Sequence, residues 1–244
     1  MLARLAERIA AASSVTVLTG AGVSAASGVP TFRGTGGLWR QFRAEDLATA
    51  EAFARDPLVV WQWYDWRRGL VAACQPNRAH AVLASWGQRL PDFSLVTQNV
   101  DGLHERAGST AITRLHGSLW VLQCWQRCGY APQGWTDRRV PLDPLPPICP
   151  GCGGLARPGV VWFHEPLDPE QWAAADRAAA CDVFMAVGTS AYVYPAASLV
   201  PRARSHGAFI VEVNPDDTDA TAMVDVHLAM PADEALPAID ERLG

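Results

Sequence analysis

The sequence predicts an α/β fold, a parallel sheet with helices on both faces, and three observations carry that reading. Short apolar runs at 15–18, 93–97, 183–187 and 209–213 have the length and composition of buried strands. Longer stretches between them place apolar residues at helical spacing. Small or polar residues bunch where the strands stop, at Gly20-Ala21-Gly22, Gln98-Asn99-Val100-Asp101, Gly188-Thr189-Ser190 and Asn214, which is where open α/β sheets place a ligand crevice.

Taken in order, residues 1–15 carry Leu2, Leu5, Ile9 and Ala12 at helical spacing, with Arg4, Glu7 and Arg8 between them. That pattern is an amphipathic helix and lacks the continuous apolar region of a signal peptide. The first strand stops at Gly20-Ala21-Gly22, a turn whose backbone can approach a ligand closely, and Ser24, Ser27 and Gly28 continue the small residues. The spacing is short of GxGxxG and no acidic residue follows about 20 positions on, so the glycines fit a nucleotide turn or an ordinary tight turn equally well. Pro30-Thr31-Phe32-Arg33 adds an aromatic ring and a guanidinium directly after it, the makings of a loop that closes over a ligand.

Residues 38–74 read as helical, with Asp56-Pro57 as a helix start, and Gln75-Pro76-Asn77 separates them from another helix over 78–88. A strand over 93–97 and a short apolar run ending at Leu115-His116-Gly117 follow. Segment 119–162 is rich in proline and shows little helical periodicity. The alternation then resumes with a helix over 169–180, a strand over 183–187, a helix after Pro195, a strand over 209–213, a strand-like 226–230 and a C-terminal helix. This divides the chain into an α/β domain (1–40, 75–118 and 163–244), a helical insertion (41–74) and a cysteine-bearing module (119–162).

The chain has 244 residues, 49% of them hydrophobic, enough for a sizeable core. A formal charge of −5 offers no basic surplus, so nucleic acid and anionic membranes are not expected partners. No apolar run reaches the roughly 18 residues of a membrane span, and a cytoplasmic protein is expected. Without an export signal, the six cysteines are not expected to form disulfides. Cys124-x3-Cys128 and Cys149-x2-Cys152 have the paired spacing of a closed, four-thiolate structural zinc site, whereas Cys74 and Cys181 fall in apolar helical contexts and read as core.

Two further sets of residues have open readings at this level. His116 alone among the histidines follows a strand end with glycine beside it, and His104 is its rival as a candidate base. Tyr64 and Arg67 stand three apart on a helix and share a face. They form either a receptor for a carboxylate or a packed tyrosine beside a solvated arginine.

The stretches GAGVSAASGVPTFRG, TQNVDGLHERAGS, LHGS, the two cysteine pairs, RPGVVWFHE, VGTSAYVYPAA and VEVN occur in the order found in the sirtuins, NAD-dependent protein deacylases, and the chain resembles that family over nearly its whole length. Thr31-Phe32-Arg33 and the Tyr-x-x-Arg at 64–67 resemble the class III branch of desuccinylases and demalonylases. The resemblance implies a Rossmann-like sheet, NAD consumed as co-substrate, one structural zinc, and acyl-lysine proteins or peptides as substrates. It implies that His116 is the catalytic base and that free lysine, nicotinamide and acyl-ADP-ribose are the products.

For the cofactor it implies Gly20, Ala21, Gly22 and Ser24 at the phosphates, Phe32 and Arg33 in a mobile loop, and Gln98, Asn99 and Asp101 at the nicotinamide and ribose. Gly188, Thr189, Ser190 and Asn214 fall on the adenosine side, with a late adenine contact at Ala232. Ala48, Tyr64 and Arg67 match an acyl pocket, and Val160, Trp162, Phe163 and Val193 flank a cleft where an extended peptide adds as a strand. Two positions depart from the family pattern: His164 stands where glycine is usual, and Gly159 where histidine or aspartate is common.

Overall fold

The computed structural model describes residues 1–30 and 44–244. In chain order these form α1 (Leu2–Ala10), β1 (Val15–Thr19), a 3₁₀ helix (Ala21–Ser27), α2 (Ala44–Leu47), α3 (Ala50–Arg55), α4 (Pro57–Ala73), α5 (Arg78–Arg89), β2 (Phe93–Thr97), α6 (Leu103–Arg106), β3 (Ile112–Arg114), β4 (Gly117–Cys124), β5 (Trp135–Thr136), β6 (Ala156–Val160), α7 (Pro169–Ala178), β7 (Val183–Val187), α8 (Leu199–Ser205), β8 (Phe209–Val213), β9 (Val226–Leu228) and α9 (Ala232–Leu243).

Six strands make a parallel sheet in the order β3-β2-β1-β7-β8-β9. The order reverses between β1 and β7, and the crevice of such a sheet lies outside the carboxyl ends of those strands. Strand β1 is buried at all five positions and feeds two cores. Val15 and Val17 join Leu5, Ile9, Trp86 and Ile239 from α1, α5 and α9, while Leu18 joins Ala175, Leu199 and Ala203 from α7 and α8 on the other face. Helices therefore cover both faces, as the apolar runs predict.

The helical insertion and the cysteine module share a third core, with Phe53, Trp61 and Tyr64 packed on Leu119, Trp120, Ala156 and Trp162. Fully buried Arg68 ties them together by donating to the carbonyls of Leu119 (2.8 Å), Asp137 (2.7 Å) and Arg139 (3.0 Å). Trp61 Nε1 donates to the Ala156 carbonyl at 2.8 Å. Helix α4 starts where Asp56-Pro57 predicts, the Asp56 carboxylate accepting from Val59 N–H at 3.1 Å.

Two elements differ from the sequence reading. Segment 119–162 is built on an antiparallel sheet in the order β5-β4-β6. Its strands escape a search for alternation because β6 is buried at every position, proline and glycine included. The turn after β1 continues as a 3₁₀ helix closed by Gly28 at φ +86°, where a left-handed cap favours glycine. Among the described residues no helix is long and apolar enough to cross a membrane.

Candidate functional site

The loops after β1 and β7 interlock at the switch point. Gly20 N–H donates to Val187 C=O (3.0 Å) and Gly22 N–H to Gly188 C=O (2.8 Å). A Cβ on Gly20 would lie 2.7 Å from the Gly188 oxygen, and one on Gly22 2.7 Å from Gly188 Cα. The glycines are thus required by close approach of two loops, with Ala21 half-buried between them. Gly188 itself sits at φ +59°.

A polar network crosses this crevice. Gln98 Nε2 donates to Thr189 Oγ1 at 2.8 Å, and Asn214 Nδ2 donates to the Thr189 carbonyl at 3.1 Å. Asn99 Nδ2 donates to the Gly20 carbonyl at 3.0 Å and lies 3.3 Å from Ser24 Oγ. Ser24 is fully buried, and its hydroxyl donates to Asp101 Oδ2 at 2.8 Å. Burial pushes the Asp101 carboxyl up, opposed first by the Leu103 N–H and then by Ser24.

His80, absent from the sequence reading, stands behind Ser24 at 3.3 Å from Nε2 to Oγ. The Asn77 backbone N–H donates to His80 Nδ1 at 3.2 Å in a capping box, so the proton sits on Nε2. The donor chain then runs His80, Ser24, Asp101. The signal was available in Pro76-Asn77 followed three residues later by His80, a helix start with a side chain able to reach back.

The two candidate bases separate clearly. His104 is 1% exposed, its Nε2 is 3.0 Å from Thr19 Oγ1, and its Nδ1 has no partner among the described residues. It belongs to the interior under the sheet end. His116, half-buried at the crevice, donates Nδ1–H to the Gln98 carbonyl at 3.0 Å, which leaves the lone pair on Nε2. Burial lowers its pKa, against the Gln98 hydrogen bond, so the ring is neutral at pH 7 and able to accept a proton.

Beside the crevice, three stretches distant in sequence meet. Phe163 N–H donates to the Ala48 carbonyl at 2.9 Å, and Trp162 Nε1 donates to the Tyr64 hydroxyl at 3.0 Å. Arg67, 8% exposed, lies with Cζ 4.7 Å from the Trp63 ring centroid and 5.7 Å from that of Tyr64. Burial lowers its pKa, with Tyr64 and Asp101 opposing. The reading of Arg67 as a solvated arginine is excluded. Arg157 and Glu165, also missed, pair at 2.5 and 2.8 Å beneath Trp162.

Val160 is buried in β6, whereas Val193 is exposed, as are its neighbours Tyr192 and Tyr194. Val161, Trp162 and Phe163 donate their N–H groups to His116 C=O, the Glu165 carboxylate and Ala48 C=O respectively, so these donors are engaged within the fold. His164 is exposed at φ +69°, a conformation that favours glycine. A Cβ on Gly159 would lie 2.7 Å from Val121 Cγ1 and 2.8 Å from its oxygen, which accounts for glycine there. Ser190 is exposed in the loop after β7, and Ala232 packs its methyl into the core at the start of α9. Phe32 and Arg33 lie outside the described residues.

The four sulfurs of Cys124, Cys128, Cys149 and Cys152 lie within 4.8 Å of one another, with Cys124–Cys152 at 3.6 Å and Cys128–Cys149 at 3.7 Å. Tetrahedral zinc with Zn–S near 2.3 Å needs sulfurs about 3.8 Å apart, so the set fits one closed structural zinc. Cys74, by contrast, is a core thiol donating to the Leu70 carbonyl, and Cys181 is half-buried and donates to Val183 C=O.

A switch-point crevice rimmed by tightly opposed glycines and amides, with a neutral imidazole at its edge and a four-cysteine module beside it, defines a nucleotide-binding α/β protein with a site suited to a structural metal. The Sir2 family model matches residues 20–195. The chain is 47% identical over 231 residues to an NAD-dependent protein deacylase of Aquifex aeolicus, covering 94% of this chain and 95% of the relative. It is 46% identical to one of Mycobacterium tuberculosis, covering 94% and 97%. A crystal structure of a Sir2 homolog–NAD complex superposes with TM-score 0.89 at 44% identity, covering 99% of this chain and 94% of that one. A Sir2 homologue mutant with ADP-ribose superposes at 0.92 and 44%, covering 98% and 95%. The chain belongs to the Sir2 family.

Proposed function

We propose that this chain removes acidic acyl groups (succinyl, malonyl or glutaryl), and acetyl groups as well, from the lysines of proteins in the cytoplasm, consuming NAD. One observation supports the acidic preference most: Arg67 is buried beside Tyr64, whose hydroxyl is joined to Trp162 next to the Phe163–Ala48 backbone hydrogen bond. A guanidinium and a phenol on one helix face suit a carboxylate, which acetyl-lysine lacks.

NAD would supply the ribose carbon that takes the acyl oxygen as nicotinamide leaves, and one water would complete the release of free lysine and acyl-ADP-ribose. The chain's own part is to orient and to move one proton. Neutral His116 accepts a ribose hydroxyl proton at Nε2 while Gln98 holds its Nδ1–H. Asp101, Asn99 and Gln98 fix the nicotinamide half. Asp101 is itself held by Ser24 and the Leu103 N–H. Gly20, Ala21 and Gly22 let the backbone approach the phosphates, Gly188, Thr189, Ser190 and Asn214 hold the adenosine side, and Ala232 walls the adenine end. Phe32 and Arg33 close over the cofactor. The substrate peptide lies between Val160–Phe163 and Val193. One zinc on the four cysteines keeps the module folded.

The test is nicotinamide release from acetyl-, succinyl-, malonyl- and glutaryl-lysine peptides of one sequence. The proposal expects the dicarboxylic acyl groups to exceed acetyl in kcat/KM. Acetyl alone would make the chain a plain deacetylase, and labelling of protein by NAD without an acyl-lysine would make it an ADP-ribosyltransferase.

A further inference from the structure

We infer that the side chain of Trp162 is a specificity-positioning residue: its indole N–H aims the Tyr64 hydroxyl proton at the acyl carboxylate. The inference rests on the acidic-acyl reading above and concerns a hydrogen bond between two side chains of this chain.

Tyr64 is 2% exposed, and its one hydrogen bond among the described residues is the one it accepts from Trp162 Nε1 at 3.0 Å. A phenol oxygen that accepts on one side must direct its own proton elsewhere, because two hydrogens cannot occupy one line of approach. Arg67, whose Cζ lies 5.7 Å from the Tyr64 ring centroid, has only donors and cannot take that proton. The proton is therefore directed away from the indole, on a ring that lies beside the Arg67 guanidinium, where a carboxylate oxygen of the ligand can accept it. Burial pushes the Tyr64 pKa up to about 12, so the hydroxyl stays protonated and remains a donor at neutral pH.

Trp162 is held firmly enough to do this. Its ring lies 3.6 Å from Arg157 Cζ, and Arg157 is anchored by Glu165 at 2.5 and 2.8 Å and by the Val160 carbonyl at 3.0 Å. The Trp162 N–H donates to the same Glu165 carboxylate at 2.9 Å, and its carbonyl accepts from Glu165 N–H at 3.1 Å. Phe53 packs on the indole with centroids 5.4 Å apart. Trp162 thus has backbone, ring face and ring edge all fixed, and the edge is the part that touches Tyr64.

The test is a double-mutant cycle on the selectivity ratio, kcat/KM for a succinyl-lysine peptide over that for the acetyl-lysine peptide of the same sequence. Both are measured on one preparation, so any inactive fraction cancels. Trp162→Phe keeps an aromatic ring on Arg157 and removes the N–H. The expected result is a ratio about five- to tenfold lower, carried by KM for the succinyl peptide. Tyr64→Phe lowers the ratio too, and the double variant falls no further than Tyr64→Phe alone. Trp162→Leu lacks the same N–H and must lower the ratio if phenylalanine is not tolerated. A Trp162 loss that adds fully to that of Tyr64→Phe, or no change in ratio, overturns the inference while the acidic-acyl reading stands. If neither Tyr64→Phe nor Arg67→Met changes the ratio, the acidic-acyl reading itself fails and the inference with it.

Discussion

Lowering the pH from 7.5 to 5 is expected to destabilise this protein sharply through two buried histidines. His80 and His104 are 0% and 1% exposed, and burial holds their pKa values down to about 3 and about 4. Unfolded, each titrates near 6.5. Below that value the unfolded chain binds protons that the folded chain refuses, so this contribution is complete above pH 6.5 and lost as the pH falls. Over the 1.5 units to pH 5, at 1.36 kcal/mol per unit, each histidine costs about 2 kcal/mol, or about 4 kcal/mol for the pair.

Geometry explains why His104 cannot take the proton in place. The Thr19 hydroxyl donates to Thr97 Oγ1 at 2.8 Å, so His104 must donate Nε2–H to Thr19, leaving a buried Nδ1 with no partner among the described residues to stabilise a charge. The assay is urea unfolding at both pH values for the wild type and His104→Gln, whose amide can still donate to Thr19. Asp101, its pKa raised, acts in the opposite direction in both proteins, and the difference between them reports the removal of His104 together with its charge on His80. The variant should lose about 2 kcal/mol less than wild type on going to pH 5. Identical losses in the two proteins would refute the reasoning.

Three other outcomes follow from the same coordinates. Arg67→Met should lower succinyl-peptide kcat/KM by at least tenfold and more than acetyl-peptide kcat/KM, since a charge-assisted hydrogen bond contributes about 1.5–3 kcal/mol; equal losses would remove Arg67 from the acyl pocket. Zinc should be present at one per chain by elemental analysis, and its removal by a chelator should lower the melting temperature, as four thiolates within 4.8 Å of one another repel without the ion. His164→Gly should raise the melting temperature by about 2–4 °C, because relieving a left-handed conformation contributes on the order of 1 kcal/mol in a chain of this size. Unchanged melting would show that His164 gains a compensating contact.

The sheet was legible because its strands are buried on both faces and stop at recognisable turns. The runs at 93–97, 183–187 and 209–213 coincide with β2, β7 and β8. The antiparallel sheet of the cysteine module was not legible, since β6 reads ARPGV and its burial comes from packing on α4 rather than from alternation. Among the candidate site residues, those at strand ends follow from topology alone. His80 could not, because its role depends on a capping box that turns its ring toward Ser24. Nor could Arg157 and Glu165, whose pairing is visible only once β6 and the following turn are folded. From the sequence, the glycines at 20 and 22 signal room for a ligand. Their first duty is room for the Gly188 loop, and the family pattern without a third glycine makes sense in that light.

The central claim is that the switch-point crevice and His116 carry out an acyl transfer from lysine to NAD. Mass spectrometry of a reaction containing NAD and a succinyl-lysine peptide tests it most directly. Succinyl-ADP-ribose should appear one for one with nicotinamide and free-lysine peptide, and all three should vanish with His116→Tyr. Product formation that survives in His116→Tyr, or free succinate released without loss of NAD, would contradict the account.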